Sequence, residues 1–371
     1  MLGNIFKNYI YPVAVMSGSI IGVGFLALPY ITLQVGIVTM LFYFVILTTL
    51  IVYLHVMFAK ISLKTPDFKR FPGFVRYYFG AVPEKMTLIL TIFGSFGILL
   101  VYLLVGGQFL TAIFSPVFGL SESNYIIIFA TVLSLVLYFG IRAISQIEFW
   151  ALLTLSVLFS IIFIKTSGHI QAENLFLFPQ PGANLFLPYG AILFALWGTG
   201  LIPEIEEMLR PRKKLFKNII IVATLIPALI YLAFIFLVLG VTGSATSESA
   251  LAGLKAFFNN GVMTIVLAMG VVAIFMAFVS QGLILKKTLM YDMKINKTLA
   301  WLLTCAVPLL LFFLGFNSFI PLISFIGGVF LGINGIFILL MYKKIGGKKI
   351  IIYPLSTFFL LGIAYEIFYF L

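Results

Sequence analysis

One cysteine, Cys305, and two histidines, His55 and His169, are the whole supply of thiol and imidazole in a chain of 371 residues. A lone cysteine excludes an internal disulfide and a thiolate metal site, and histidines this far apart show no metal spacing. Charge is as scarce. Asp, Glu, Lys and Arg make up 9% of the sequence, with only 11 acids, where a soluble domain carries roughly a quarter. So few nucleophiles, bases and acids leave nothing to cluster into a catalytic centre, so neither an enzyme nor a bound cofactor is expected. No polar stretch is long enough for a separate soluble domain. No small-residue cleavage site follows a short apolar region, so the first span is expected to stay as an uncleaved anchor.

What is present is apolar: 63% of residues are hydrophobic and the mean hydropathy is +1.20, the composition of an all-α polytopic membrane protein. Segments of about 20 mostly apolar residues occur at 10–33, 35–59, 86–114, 124–141, 148–165, 185–209, 217–241, 262–285, 298–314, 318–342 and 350–370. The uncharged run from Thr298 to Tyr342 is too long for one crossing and is divided at Gly315-Phe-Asn-Ser318. All of the 23 lysines and arginines except Lys165 and Lys255 then fall on one side. By the positive-inside rule that side is the cytoplasm, with the N-terminus inside and the C-terminus outside a bacterial inner (cell) membrane. The net charge of +12 is thus topological, and nucleic acid is not an expected partner.

Two of these segments are poor helices. Met16 to Pro29 reads MSGSIIGVGFLALP, and Gly costs about 1 kcal/mol and Pro about 3 kcal/mol relative to Ala inside a helix. Gly18 and Gly22 also fit the small-xxx-small pattern of close helix packing. Half a chain later, Ala195 to Pro203 reads ALWGTGLIP. A pair of interrupted segments at corresponding places in two halves marks the substrate site of a secondary transporter, because unwound backbone at membrane depth survives only against protein or a polar ligand. Spans one to five (10–165) and six to ten (185–342) are odd-numbered sets, so the second enters from the opposite face. The expectation is a five-plus-five inverted repeat with an eleventh helix, 343–371, appended, all in one membrane domain.

GSIIGVGFLALPY at 18–30 resembles the first-helix signature of the amino acid, polyamine and organocation transporter superfamily, and Pro188 to Glu204 is similar to the sixth segment of its amino acid/auxin permeases and tryptophan/tyrosine permeases. The resemblance implies the leucine-transporter-type fold with discontinuous helices 1 and 6, in which helices one, two, six and seven rock against a scaffold of three, four, eight and nine. It implies an amino acid held at the breaks. Half-helix N-termini around Ser17, Gly18, Ser19, Ile20, Gly22 and Gly24 suit its carboxylate. Carbonyls near Ala195, Leu196, Gly198, Thr199 and Gly200 suit its ammonium group, with Phe194 or Trp197 closing over the side chain; packing or lipid contact is the plainer role for those aromatics.

Membrane acids are expensive and so are candidates for function. Glu204 follows the sixth-segment break and is the candidate proton carrier, while Glu206 and Glu207 approach Arg210 and Arg212 and read as interfacial pairs. Glu148 and Arg142 read as a solvated loop pair, His55 as an interfacial anchor, Glu366 as an acid able to reach water near the outer end of the last helix, and Lys165 as snorkelling outward. Ser95, Tyr102 and Gln108 on the third helix are candidates for the pocket wall. Sodium-coupled members of this fold carry two adjacent hydroxyls on helix eight, whereas Phe278-Val279-Ser280-Gln281 has one. Proton symport is therefore favoured over a sodium site built from Ser280 and a carbonyl at Ala14 or Ser17. The function expected is import of an amino acid, large neutral or aromatic by resemblance, with no obligatory protein partner. The alternative is a ligand-sensing receptor of the same fold, like spore germinant receptor subunits, which binds without accumulating.

Overall fold

The computed structural model describes residues 6–66, 69–139, 166–176, 178–209, 213–250 and 260–370, with Leu254 and scattered positions between 152 and 164. Every regular element among them is helical. The chain begins with a π-turn (Phe6–Ile10) and α1 (Tyr11–Ile20), which stops at Ile21. A 3-10 turn (Gly24–Ala27) and α2 (Leu28–Val35) resume at an angle of 54° to the first half. Gly36, at φ +80°, turns the chain into α3 (Ile37–Lys64). A short helix, α4 (Phe71–Phe79), precedes the long α5 (Ala81–Phe118) and α6 (Glu122–Phe139). The second half holds α7 (Pro188–Leu196), α8 (Ile202–Met208), α9 (Phe216–Thr242), α10 (Asn260–Tyr291) and α11 (Lys297–Phe313). Then α12 (Phe319–Phe325) passes through a π-turn (Ile326–Leu331) into α13 (Gly332–Lys344), and α14 (Lys349–Phe370) ends the chain.

Among the described residues six helical runs are long and apolar enough to cross a membrane, and the bent pair of α1 and α2 forms a further broken one. The division at 315–318 is present: α11 ends at Phe313, Gly315 takes φ +95°, and α12 begins at Phe319. The third crossing is longer than the sequence suggests, 81–118 rather than 86–114, because hydropathy marks only the lipid-facing length and not its helical extensions. The helix α4 was not expected in the loop 60–85. Pro72 starts it, Gly80 at φ +88° ends it, and it buries Phe74 and Val75 while exposing Arg76 and Tyr77, the two-faced pattern of a surface helix. Most of the fifth crossing (148–165), including Glu148 and Lys165, lies outside the described residues, as do Arg142, Arg210, Arg212 and Lys255.

Helices in a membrane associate through close van der Waals packing, which small residues permit. On α5, a Cβ at Gly106 would overlap Phe129 of α6 and one at Gly107 would overlap Ile126, while one at Gly270 of α10 would overlap Phe109. These glycines let side chains of α6 and α5 pack directly on the backbones of α5 and α10. On the other side of the molecule α9 packs against α1, α2 and α3, and the site lies between these two walls.

Candidate functional site

Both breaks are present, and they touch. At the first, Ile21 leaves the helix with ψ 84° and the Gly22 N–H turns back onto the Ile20 carbonyl at 2.8 Å. At the second, α7 ends at Leu196, Trp197 is extended (ψ 121°), and Gly198 (φ −136°, ψ 15°) leads into a 3-10 turn, Thr199–Leu201, before Pro203 starts α8. A Cβ on Gly24 would sit 2.7 Å from Phe194 Cδ1 and 2.9 Å from Ala195 Cα, and one on Gly198 would sit 2.7 Å from Ile20 Cγ1. Glycine is required at 24, where the Ala195 backbone comes into contact, while at 198 the Ile20 side chain packs directly on the backbone.

Three side chains missed by sequence reasoning hold this junction. The Tyr231 hydroxyl of α9 lies 2.8 Å from the Ile20 carbonyl and 3.1 Å from the Ala195 carbonyl, sharing its single proton between the two breaks. Its ring stacks on Phe25 at 5.2 Å. His55, which sequence reasoning placed at the interface, is fully buried and spans two elements. The Gly198 N–H donates to its Nε2 at 3.2 Å, and its Nδ1 lies 2.9 Å from Thr224 Oγ1. Because the Thr224 hydroxyl proton goes to the Ile220 carbonyl, His55 must donate through Nδ1–H and accept at Nε2, which defines the neutral tautomer. Two turns further along α3, Ser62 donates to Glu206 of α8. Glu206 is buried, so it holds α8 against α3 rather than standing at the surface; Glu207 is exposed. None of these roles has a motif. A buried hydroxyl or imidazole opposite a helix break is visible only once the helices are paired.

Between the walls lies a cavity of about 530 Å³, within the few-hundred to ~1,000 Å³ range of small-molecule sites. Ser19, Ile20, Gly22, Gly24, Phe194, Ala195, Trp197, Gly198, Thr199, Gly200, Glu204 and Ser280 all line it. Of the third-helix candidates, Ser95 and Tyr102 line it and Gln108 does not. Ser17, Gly18, Leu196 and Ala14 do not line it either: Ser17 Oγ donates to the Ala223 carbonyl at 3.0 Å, which holds α1 on α9, and Leu196 is fully buried in the core. The Ala195 carbonyl is shared with Tyr231. Three buried polar atoms on the cavity wall, Glu204 Oε2, Thr91 Oγ1 and Asn334 Oδ1, have no protein partner. Buried polar atoms are normally satisfied, so a wall with three orphans is built for something polar that enters. At its α8 end the cavity shares Arg70, Pro203, Glu204, Glu207 and Lys287 with a second hollow, lined also by Lys69, Arg76 and Asp292. No His, Cys, Asp and Glu cluster able to hold a metal occurs among the described residues.

The family model of the tryptophan/tyrosine permeases matches residues 7–353. The chain belongs to the tryptophan/tyrosine permease family. It is a membrane transporter, not an enzyme. No curated protein matches the permease over its sequence. Solved structures show its fold. A nucleobase-cation-symport-1 family transporter, closed with bromovinylhydantoin bound, aligns with TM-score 0.68 at 13% identity over 88% of this chain and 76% of that one. MhsT in complex with L-phenylalanine aligns at 0.64 and 16%, over 97% and 98%. A manganese transporter of Eremococcus coleocola aligns at 0.70 and 13%, over 99% and 88%. The permease therefore has the leucine-transporter-type fold of these proteins.

Proposed function

We propose that this permease is a secondary active transporter that imports a large neutral or aromatic amino acid by alternating access, coupled to protons. The observation that carries the reading is the pair of touching helix breaks on one wall of a cavity whose other atoms include three unpartnered polar groups. Residues 10–165 and 185–342 form the two inverted repeats, with 343–371 appended, giving eleven crossings with the N-terminus in the cytoplasm and the C-terminus outside the cell membrane. The zwitterion lies between the breaks. Its carboxylate faces the N–H groups that open the second half of the first crossing, around Gly24, where a helix start leaves them without intrahelical partners; the Gly22 N–H is already turned onto the Ile20 carbonyl. Its ammonium group faces the carbonyl end of α7 and the Trp197–Thr199 backbone. Its side chain lies among Tyr102, Phe194, Trp197 and Phe330, all on the cavity wall. MhsT holds L-phenylalanine, which agrees with an aromatic lining.

Glu204 is the proton carrier of this reading, with its Oε2 buried and unpartnered on the cavity wall. Ser280 also lines the cavity while Ala14 is set back from it, so a sodium site would have to form without the Ala14 side of α1. The cavity's continuation toward Lys69, Arg70 and Lys287 supports an opening on the basic face, which the positive-inside rule makes the cytoplasmic one. The test is uptake of labelled L-tryptophan into proteoliposomes under an imposed proton gradient, with a sodium gradient as the comparison. Accumulation that follows the proton gradient supports the reading. Tight binding without accumulation under either gradient would make the protein a receptor.

A further inference from the structure

A second acid, far from Glu204, is unused by the mechanism above. Glu366 of α14 is 1% exposed, so it does not reach water in this conformation, contrary to its position near the end of the last helix. It is seated in a slot made by three elements. Ser324 Oγ of α12 donates to its Oε1 at 3.1 Å. A Cβ on Gly190 of α7 would lie 2.8 Å from the same Oε1, and one on Gly328, in the π-turn Ile326–Leu331, would overlap its Cγ. The slot exists only because 190 and 328 are glycines. Among the described residues no cation forms an ion pair with it.

The titratable groups around it are tyrosines. Tyr189 of α7 is within electrostatic reach and its hydroxyl is buried without a partner. Tyr365 on α14 interacts with it as well and donates to Asn184. From α12 and the π-turn come Ser324 and glycines, and the lysine of α13 that meets α14, Lys343, is bound to Tyr353, thirteen residues and about 20 Å along the helix. An ionised carboxylate left with one hydroxyl donor and no cation inside a protein is strongly disfavoured, and the neutral acid carries no such penalty. π-turns inside helices occur often at functional sites.

We propose that Glu366 is a proton-binding site of the transport cycle: neutral while α7 is seated against it, and ionising, with its proton passed to water, when α7 moves and the slot opens. The inference rests on the proposed transport function, since it makes the outer half of the sixth crossing, which also ends at the substrate cavity, the element that reads the proton. Two acids on opposite sides of that crossing, Glu204 and Glu366, would then be loaded in different states.

Two measurements on the full-length protein decide it. In an infrared pH titration of detergent-solubilised protein, the difference between wild type and Glu366→Gln should isolate one component of the protonated-acid carbonyl band, the remaining acids titrating alike in both proteins. An identical band in both proteins overturns the site. In proteoliposomes, Glu366→Gln should keep labelled L-tryptophan counterflow within about twofold and lose proton-driven accumulation by about tenfold or more, the sign of lost coupling rather than lost binding. Accumulation with the wild-type pH profile overturns it. If Glu366→Gln does not fold, Ser324→Ala, which removes the one donor, must shift the infrared titration, and an unshifted band counts against the site. Wild-type protein without tryptophan counterflow would instead defeat the amino acid reading, leaving the infrared titration to judge Glu366 alone.

Discussion

The helices on the two sides of the cavity are held together by different means. On one side, α1, α3, α7, α8 and α9 are joined by polar bonds that converge on the breaks: Ser17 to the Ala223 carbonyl, Tyr231 to the Ile20 and Ala195 carbonyls, His55 to Gly198 and Thr224, Ser62 to Glu206. On the other, α5, α6 and α10 meet through glycines and α11 joins them, with Gln281 on Ser95 and, at the α6 end, Lys286 on the Leu137 carbonyl and Trp301 of α11 on the Ser134 carbonyl. Each of these bonds stays within its own group. Hydrocarbon cannot satisfy a broken helix, so the side that carries the breaks needs polar ties at the breaks, while the polar ties of the unbroken side supplement close contact. Two groups each tied internally, with a cavity between them, are what a rigid-body movement of one against the other requires, and the proposed alternating access uses that seam.

The largest effects are expected where the breaks touch. Gly24→Val places a Cβ within 3 Å of the Ala195 backbone, which cannot turn aside as a side chain can. Overpacking of about 1–3 kcal/mol concentrated on the binding geometry corresponds to roughly 5- to 150-fold weaker binding, measured as L-tryptophan affinity by thermal shift. Gly107→Ala in the opposite wall presses on Ile126 and should lower the melting temperature while the folded fraction binds as before. If both substitutions damage only stability, the contrast between the two walls fails.

Next in size is Tyr231→Phe. It takes their shared donor from the carbonyls of Ala195 and Ile20, the latter keeping only the Gly22 N–H, at about 1–3 kcal/mol for a buried group left unpaired, and affinity should fall with stability because both carbonyls belong to the site. His55→Ala is expected to behave alike through the Gly198 N–H. Trp301→Phe, which removes one bond to the Ser134 carbonyl in the other group, should cost only about 1 kcal/mol and leave tryptophan uptake unchanged. Thermal unfolding and uptake on the same preparations separate the two outcomes.

The broken segments were legible because Gly and Pro write their backbone preference directly into the sequence: MSGSIIGVGFLALP and ALWGTGLIP became two real interruptions, and twelve of the candidate residues on them, at Glu204 and at Ser280 line one cavity. What was not legible is what satisfies the interruptions. Tyr231 sits in an apolar helix with no motif, His55 looked interfacial from its distance to Lys60, and Glu366 looked wet from its distance to the C-terminus. Depth along a helix can be counted from sequence, but which face meets another helix cannot. For Glu206 the charged neighbours in sequence gave no sign of its burial or of its bond from Ser62. The length of α5 and the presence of α4 escaped because hydropathy does not register helix outside the hydrocarbon.

The smallest expected effect is at the basic rim, where the two walls come closest outside the spans. Arg70, just before α4, donates to the Lys287 carbonyl at 2.6 Å and lies 3.5 Å from Asp292. Partial burial pushes the Asp292 carboxyl above the usual carboxylate range, and Arg70 opposes this without cancelling it. The folded protein therefore holds a proton that the unfolded chain has already lost. Stability must fall as pH rises from the ordinary carboxylate value through the raised one and level off above it. Asp292→Asn removes this titration, so the melting temperature should decline less steeply across the weakly acidic range than in wild type, and the two curves should separate on the alkaline side. Because Arg70 reaches Lys287 as well as Asp292, the rim contact outlasts loss of the carboxylate, and tryptophan affinity should change by less than about twofold, as for an exposed pair. A larger change would mean that this contact, rather than the seam around the breaks, sets the balance between the two groups.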